Sequence, residues 1–128
     1  MPRVKQLTLS HENQPGMLAG IVKVLGNENV SILCCFTTTS GETGTTHLLV
    51  DNVDKAKKAL AKARLGYSEA DVLRVELPNT PGALANFASK LAQEDINITL
   101  GYQTSTKGAR KACIVLSVSD LDKAASIR

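Results

Sequence analysis

The sequence predicts an α+β fold: a ferredoxin-like βαββαβ unit repeated twice, each an antiparallel sheet with helices on one face, the second unit lacking its last strand. Three observations carry this prediction. Asn13-Gln14-Pro15-Gly16-Met17-Leu18-Ala19 recurs as Asn79-Thr80-Pro81-Gly82-Ala83-Leu84-Ala85, 66 positions later. The apolar positions after each run have helical spacing: Leu18, Ile21, Val22 and Leu25 map onto Leu84, Phe87, Ala88 and Leu91. Each helix is then followed by two segments rich in β-branched residues, separated by a glycine-containing turn. A repeat of this length is too long for a solenoid unit and fits a duplicated small domain.

The elements follow in order. Residues 4–9 and 72–77 read as short first strands. Pro15 and Pro81 suit the first helical position, where a missing N–H costs nothing. Thr80 is a good N-cap and Gln14 a poor one. The helices run to about Glu28 and Glu94, and Asn29 and Asp95 tolerate the left-handed conformation that ends a helix. Residues 30–38 and 96–104 are second strands. Turns are expected at 40–44 and 106–108, and third strands at 46–50 and 112–118, with about two extra residues around the second hairpin. Asp51 or Asn52 caps a helix whose apolar face is Val53, Ala56, Leu60 and Ala63, and Gly66 stops it. Residues 67–71 form a short fourth strand leading into Val72. In the second unit Ser119 caps a helix at Asp120-Leu121-Asp122-Lys123-Ala124, and the sequence ends at Arg128. The expected units are therefore residues 1–71 and 72–128. The first strand of the second unit is left without an outer neighbour, an edge that invites association.

Composition narrows the function. The 128 residues are 43% hydrophobic and 21% charged, ordinary for a globular protein. No apolar run approaches a membrane span, and Met1-Pro2-Arg3-Val4-Lys5 opens no secretory h-region, so a cytoplasmic protein is expected. Three cysteines, two of them adjacent, make no disulfide framework. A formal charge of +3 is far from the basic stripe of a nucleic-acid binder.

Catalysis is hard to assemble from these residues. The sequence holds no Ser/His/Asp elbow, no glycine-rich phosphate loop and no zinc-ligand spacing. His11 reads as an exposed loop residue whose counterpart is Leu77, and His47 as a partly buried strand residue whose counterpart is Cys113. Cys34 and Cys35 alternate faces of a strand, so they cannot serve one site. A metal site from Cys35, Cys113 and a histidine has no ligand spacing to support it. We expect no enzyme, no cofactor and no metal. The lysines of residues 55–64 read as the solvated face of an amphipathic helix. RNA-recognition modules share the βαββαβ order but stack bases on aromatics of the first and third strands. Those strands carry none here, since Phe36 and Tyr102 lie on second strands, so no nucleic-acid partner is expected.

The two Asn-x-Pro-Gly loops are the candidate sites. Each joins a strand to a helix N-terminus, whose free amides and dipole attract an anion such as a carboxylate. The side-chain oxygen of Asn13 or Asn79 can accept from an ammonium. Together these describe an amino acid. The same residues also make a good strand-to-helix turn with no ligand at all, and chemistry alone leaves both readings open.

The runs at residues 7–32 and 75–98, each centred on Asn-x-Pro-Gly-x-Leu-Ala, resemble the ACT domain, and the resemblance covers nearly the whole chain as a tandem pair. It implies a non-catalytic regulatory module that binds an amino acid or similar small ligand. It implies side-by-side pairing of units through their second strands into an eight-stranded sheet, with ligands between the first loop of one unit and the second strand of the other. Carried onto this sequence, the loop positions are Asn13, Gln14, Gly16, Met17 and Leu18, with Asn79, Thr80, Gly82, Ala83 and Leu84. The facing strand positions fall near residues 35–37 and 101–103. Many relatives have Asp where this chain has Asn13 and Asn79, and some ACT units only associate subunits. The expectation is an amino-acid-binding homodimer acting on an unidentified enzyme partner, with a ligand-free oligomerisation module as the alternative.

Overall fold

The computed structural model describes residues 2–127. The chain divides into two compact units. The N-terminal unit is Lys5–Ala70; the C-terminal unit takes residues 71–127 together with residues 2–4. The first contains all of β1 (Arg3–Glu12) but its first two residues, with α1 (Met17–Asn27), β2 (Ile32–Ser40), β3 (Thr43–Val50) and α2 (Val53–Lys62). The second contains α3 (Ala83–Gln93), β5 (Ile98–Thr104), β6 (Lys111–Val118) and α4 (Leu121–Ala125), and β4 (Ser68–Pro78) runs into it. The βαββα order is as the repeat predicts.

The third strand is central in each ladder: β3 pairs antiparallel with β1 and β2, and β6 with β4 and β5. Register equates the units more accurately than a constant offset does. Leu7 faces Leu48 and Leu73 faces Leu116, so the offset rises from 66 to 68 across the hairpin. His47, which faces Thr8, is therefore equivalent to Val115, which faces Arg74, and not to Cys113. Both second strands carry a bulge at the same place, between Ile32 and Cys34 and between Ile98 and Leu100.

Each unit has its own core on the helical face of its sheet. In the first, Leu7, Leu9, Leu48 and Val50 meet Ile21, Leu25, Ala56 and Leu60. In the second, Leu73, Leu77, Ile114 and Leu116 meet Phe87, Leu91 and Ala124. Alternation along the strands and i, i+4 spacing along the helices aim these side chains inward. The leading leucines of the two helices are not part of this face: Leu18 is 38% exposed and Leu84 40%.

Several element ends differ from expectation for identifiable reasons. Residues 67–71 and 72–77, read as a fourth strand leading directly into the next unit's first, are one continuous strand, Ser68–Pro78. The second unit's first strand is not bare. The Arg74 N–H donates to the Pro2 carbonyl (3.2 Å), and Arg3 pairs with Asp122, so residues 2–4 group with the second unit. The hairpin turn is two residues, Gly41-Glu42, between the paired Ser40 and Thr43. Gly41 takes its first central position at φ 61°, the conformation a tight primed turn needs and a glycine supplies. Gly44 consequently belongs to β3. Asn52 alone caps α2, accepting from the Lys55 N–H at 3.0 Å, because Asp51 is engaged by the Ser31 N–H. Asp120 caps α4 in the same way, while Ser119 accepts from the Asn97 N–H. Asn29 and Asp95 are left-handed (φ 59° and 57°) as read, and Arg64 adopts the same conformation (φ 59°) to close α2 two residues before Gly66. Each closure sends the next N–H back to a carbonyl of the helix's last turn: Val30 to Leu25, Ile96 to Leu91, and Leu65 to Leu60. Among the described residues no helix is long and apolar enough to cross a membrane.

Candidate functional site

The repeated motif folds the same way twice, and not as a capped helix start. Pro15 and Gly16 are the central residues of a turn closed by the Met17 N–H on the Gln14 carbonyl (3.4 Å). Pro81 and Gly82 do the same, with the Ala83 N–H on the Thr80 carbonyl (3.2 Å). Gly16 (φ 89°, ψ −8°) and Gly82 (φ 86°, ψ −11°) hold the left-handed position of a type II turn, where proline belongs one residue earlier. These glycines, not Gln14 or Thr80, are the N-cap residues, and neither helix has a side-chain cap. Their carbonyls accept the first helical bonds, from Gly20 and Asn86 at 2.9 Å each. The amides of Leu18 and Ala19, and of Leu84 and Ala85, are thus left without an intrahelical acceptor.

Asn13 and Asn79 fasten this turn to the hairpin of their own unit. The Asn13 N–H donates to the Glu42 carbonyl (2.8 Å) and its Nδ2 to the Gly41 carbonyl (3.0 Å). The Asn79 N–H donates to the Arg110 carbonyl (2.9 Å), and its Nδ2 reaches the carbonyls of Ala109 (3.0 Å) and Thr106 (3.3 Å). An aspartate has no donor for these carbonyls. Asparagine at this position therefore has a local structural reason, carried by its Nδ2 and not by its Oδ1.

The loop residues divide between two hollows in the N-terminal unit. Gly16 and Met17 line a cavity of about 250 Å³ walled by Leu9, Ile21, Val24, Gly20 and Leu65, with His11 at one side. Asn13 and Gln14 line a polar depression with Glu12, Gly41, Glu42 and Thr43. Leu18 lines neither. In the C-terminal unit Thr80 and Ala83 line a hollow of about 290 Å³ with Leu77, Asn86, Phe87 and Lys90, while Asn79, Gly82 and Leu84 stay outside it. Residues 35–37 lie on β2, two strands away from β1, and 101–103 on β5, two strands from β4. They line none of these three hollows.

Four residues of this neighbourhood were not legible as site residues: Glu12, Glu42, Gly20 and His11. The two glutamates reach the loop only because Asn13 binds the hairpin. His11 is not an exposed loop residue; it is on β1 and partly buried. The Glu12 carbonyl can only accept, so His11 Nδ1–H donates to it (2.8 Å), and Nε2 accepts from Thr46 Oγ1 (2.8 Å). Thr46 is fully buried and in turn accepts from Thr37 Oγ1 (2.9 Å). The ring stands over Gly44, where a Cβ would come within 2.4 Å of its Cε1. A glycine opposite a histidine across two strands was the available signal, hidden by the unknown register.

The other reactive groups are engaged elsewhere. His47 stacks on Phe36 with ring centroids 5.9 Å apart and bonds Thr8 Oγ1 (3.0 Å), and burial lowers its pKa. Cys34 is buried, and Cys113 accepts from Arg74 Nε at 3.3 Å. Burial raises the pKa of the Cys35 thiol, with a Thr37 hydrogen bond pulling the other way, which disfavours the reactive thiolate. Among the described residues no group of three or more His, Cys, Asp or Glu is placed to hold a metal ion.

A family model described as "ACT domain pair" matches residues 2–127. No curated protein matches the sequence. Among solved structures, protein BT0572 from Bacteroides thetaiotaomicron is 30% identical with a TM-score of 0.90, over 96% of this chain and 84% of that one. The regulatory subunit of aspartate kinase from Thermus thermophilus, in its ligand-free form, is 14% identical with a TM-score of 0.67, over 91% and 87%. The corresponding subunit from Thermus flavus is 16% identical with a TM-score of 0.59, over 89% and 82%. At such identities the two Thermus subunits speak to the fold alone.

Proposed function

Because the chain belongs to the ACT domain pair family, we propose that it is a non-catalytic regulatory module that binds a free amino acid at the loops opening α1 and α3. The observation that carries this reading is the twice-built, uncapped helix start beside an anchored asparagine. A ligand carboxylate accepts from the Leu18 and Ala19 amides, favoured by the helix dipole. The ammonium meets Asn13 Oδ1 and, in the N-terminal unit, the negative charge of Glu12 and Glu42. Loop residues Asn13, Gln14, Gly16, Met17 and Leu18, with Asn79, Thr80, Gly82, Ala83 and Leu84, form the binding surface.

A second strand of another unit, at residues 35–37 or 101–103, closes the site in a homodimer. β2 and β5 suit this role: each is the edge of its unit's ladder, and each bears an exposed apolar residue, Leu33 (50%) and Ile98 (37%). A ligand held there stabilises one pairing geometry, and a cytoplasmic enzyme partner reads that geometry.

A thermal-shift screen of the twenty amino acids tests the reading. A ligand at about 100 times its dissociation constant adds roughly 2.7 kcal/mol, several degrees in a chain this size. Substituting valine at Gly16 or Gly82 would strain a left-handed turn, so Met17→Glu and Ala83→Glu are better probes. A glutamate in the first helical turn favours the helix yet competes with a ligand carboxylate. We expect at least one amino acid to raise the melting point, and one or both variants to abolish that rise without lowering the melting point of the free protein. Twenty amino acids without a shift at millimolar levels would leave the ligand-free association module standing.

A further inference from the structure

We infer that the bound amino acid has an apolar side chain, which enters the cavity of the N-terminal unit, so that each chain holds one such ligand at its first loop and none at its second. This rests on the amino-acid reading above, adds the ligand class, and narrows the two candidate loops to the first.

The cavity begins at the loop itself. Gly16 and Met17 are at once candidate loop residues and part of its lining. Behind them the walls are Ile21, Val24 and Leu65, all apolar. Gly20 keeps the space open: a Cβ built there would meet nothing within 4 Å. Leu65 is held in the wall by its N–H on the Leu60 carbonyl (2.9 Å), the closure that Arg64 makes in its left-handed conformation. The volume is about 250 Å³. Apolar cavities of roughly 150 Å³ already accept benzene, so an isobutyl or benzyl group fits here. A charged or amide side chain would lose its hydration against Ile21, Val24 and Leu65; the polar side chains of the lining are Ser10 and His11, and both His11 ring nitrogens are already bonded, to Glu12 and Thr46.

The C-terminal unit is built differently. Gly20 and Val24 are replaced by Asn86 and Lys90, both lining its hollow. An apolar side chain at the second loop would meet an amide and an ammonium.

The chain has two methionines, Met1 and Met17, so a methyl-labelled sample carries one cavity reporter. Titrating the full chain with leucine, phenylalanine, aspartate and lysine should give saturable shifts of the Met17 methyl resonance with the first two only, at one ligand per chain. Gly20→Leu fills the cavity and should weaken leucine binding at least tenfold with the circular dichroism spectrum unchanged. Asn86→Leu, the equivalent change in the other unit, should leave leucine affinity within twofold. Binding of aspartate or lysine with leucine and phenylalanine inert would overturn the side-chain inference and leave the amino-acid reading intact. So would leucine binding that ignores Gly20→Leu and leaves Met17 unmoved. Failure of every amino acid to bind would remove both.

Discussion

The two units share a chain order, a helix-opening turn and a bulged second strand, yet differ in what fills the sheet end beneath the turn. The N-terminal unit places His11, Thr46, Thr37 and Gly44 there, with the first three joined by hydrogen bonds. At the equivalent positions the C-terminal unit has Leu77, Ile114, Gln103 and Ala112, three of them buried apolar side chains. The hairpins differ too: Glu42 stands by the first loop, and Lys107, Arg110 and Lys111 belong to the second hairpin. A duplicated fold has kept the frame and let the two loop environments diverge. The polar cluster and the glycine at 20 belong to one unit only, and at the second loop Asn86 and Lys90 stand where Gly20 and Val24 line the cavity.

The contrast between the units is open to mutation, first where the expected effect is largest. Leu60, fully buried, anchors α2 in the first core, and its counterpart falls outside the described residues. Leu60→Ala should cost about 2–5 kcal/mol in chemical denaturation, by lost transfer and a residual cavity. Next, Gly44→Ala drives a Cβ into the His11 ring and strips the buried Thr46 of a partner, a cost of about 1–3 kcal/mol. Adding His11→Leu copies the C-terminal unit and should recover most of that loss. A double variant no better than Gly44→Ala would show that the units differ by more than this cluster.

Smaller effects probe the shared frame. Asn52→Ala and Asp120→Ala remove equivalent caps, each worth about 1 kcal/mol to its helix, and similar losses in the two would confirm that the frame is common to both units. Gly20→Ala should stabilise by about 0.5–1 kcal/mol, since the site is helical and open. The smallest effect concerns pH. His47 has its pKa lowered in the folded state by burial. Protons therefore favour the unfolded chain: the neutral ring is fully tolerated above the ordinary histidine range, and stability declines as pH falls through that range toward the folded value. His47→Val, copying Val115, should flatten the stability profile between about pH 7.5 and 5; an unchanged slope would assign it to other groups.

Much of the fold was readable because the repeat supplied two noisy copies of each element. The buried pairs Ile21/Leu25 and Phe87/Leu91 and the left-handed Asn29 and Asp95 held in both, while the leading Leu18 and Leu84 fell outside the buried face. What failed was register and tertiary competition. Pro15 looked like a helical first residue, but the type II turn that glycine permits moves the helix start to Met17. Ser119 and Asp51 looked like caps, but both are used by backbone amides just ahead of a second strand, those of Asn97 and Ser31. The first strand, read as 4–9, starts earlier, at Arg3, and the Pro2 carbonyl just ahead of it accepts from the Arg74 N–H of β4. The loop was legible as a candidate. The cavity behind it was not, because Gly20, Val24 and Leu65 converge only once α1 and the end of α2 are packed.

Whether one loop or both hold the ligand is decided by calorimetric titration of the full chain with leucine, alone and with Met17→Glu or Ala83→Glu. One leucine per chain is expected, with binding lost in Met17→Glu and retained in Ala83→Glu. Two leucines per chain, or binding that survives Met17→Glu and vanishes in Ala83→Glu, would contradict a single apolar site in the N-terminal unit.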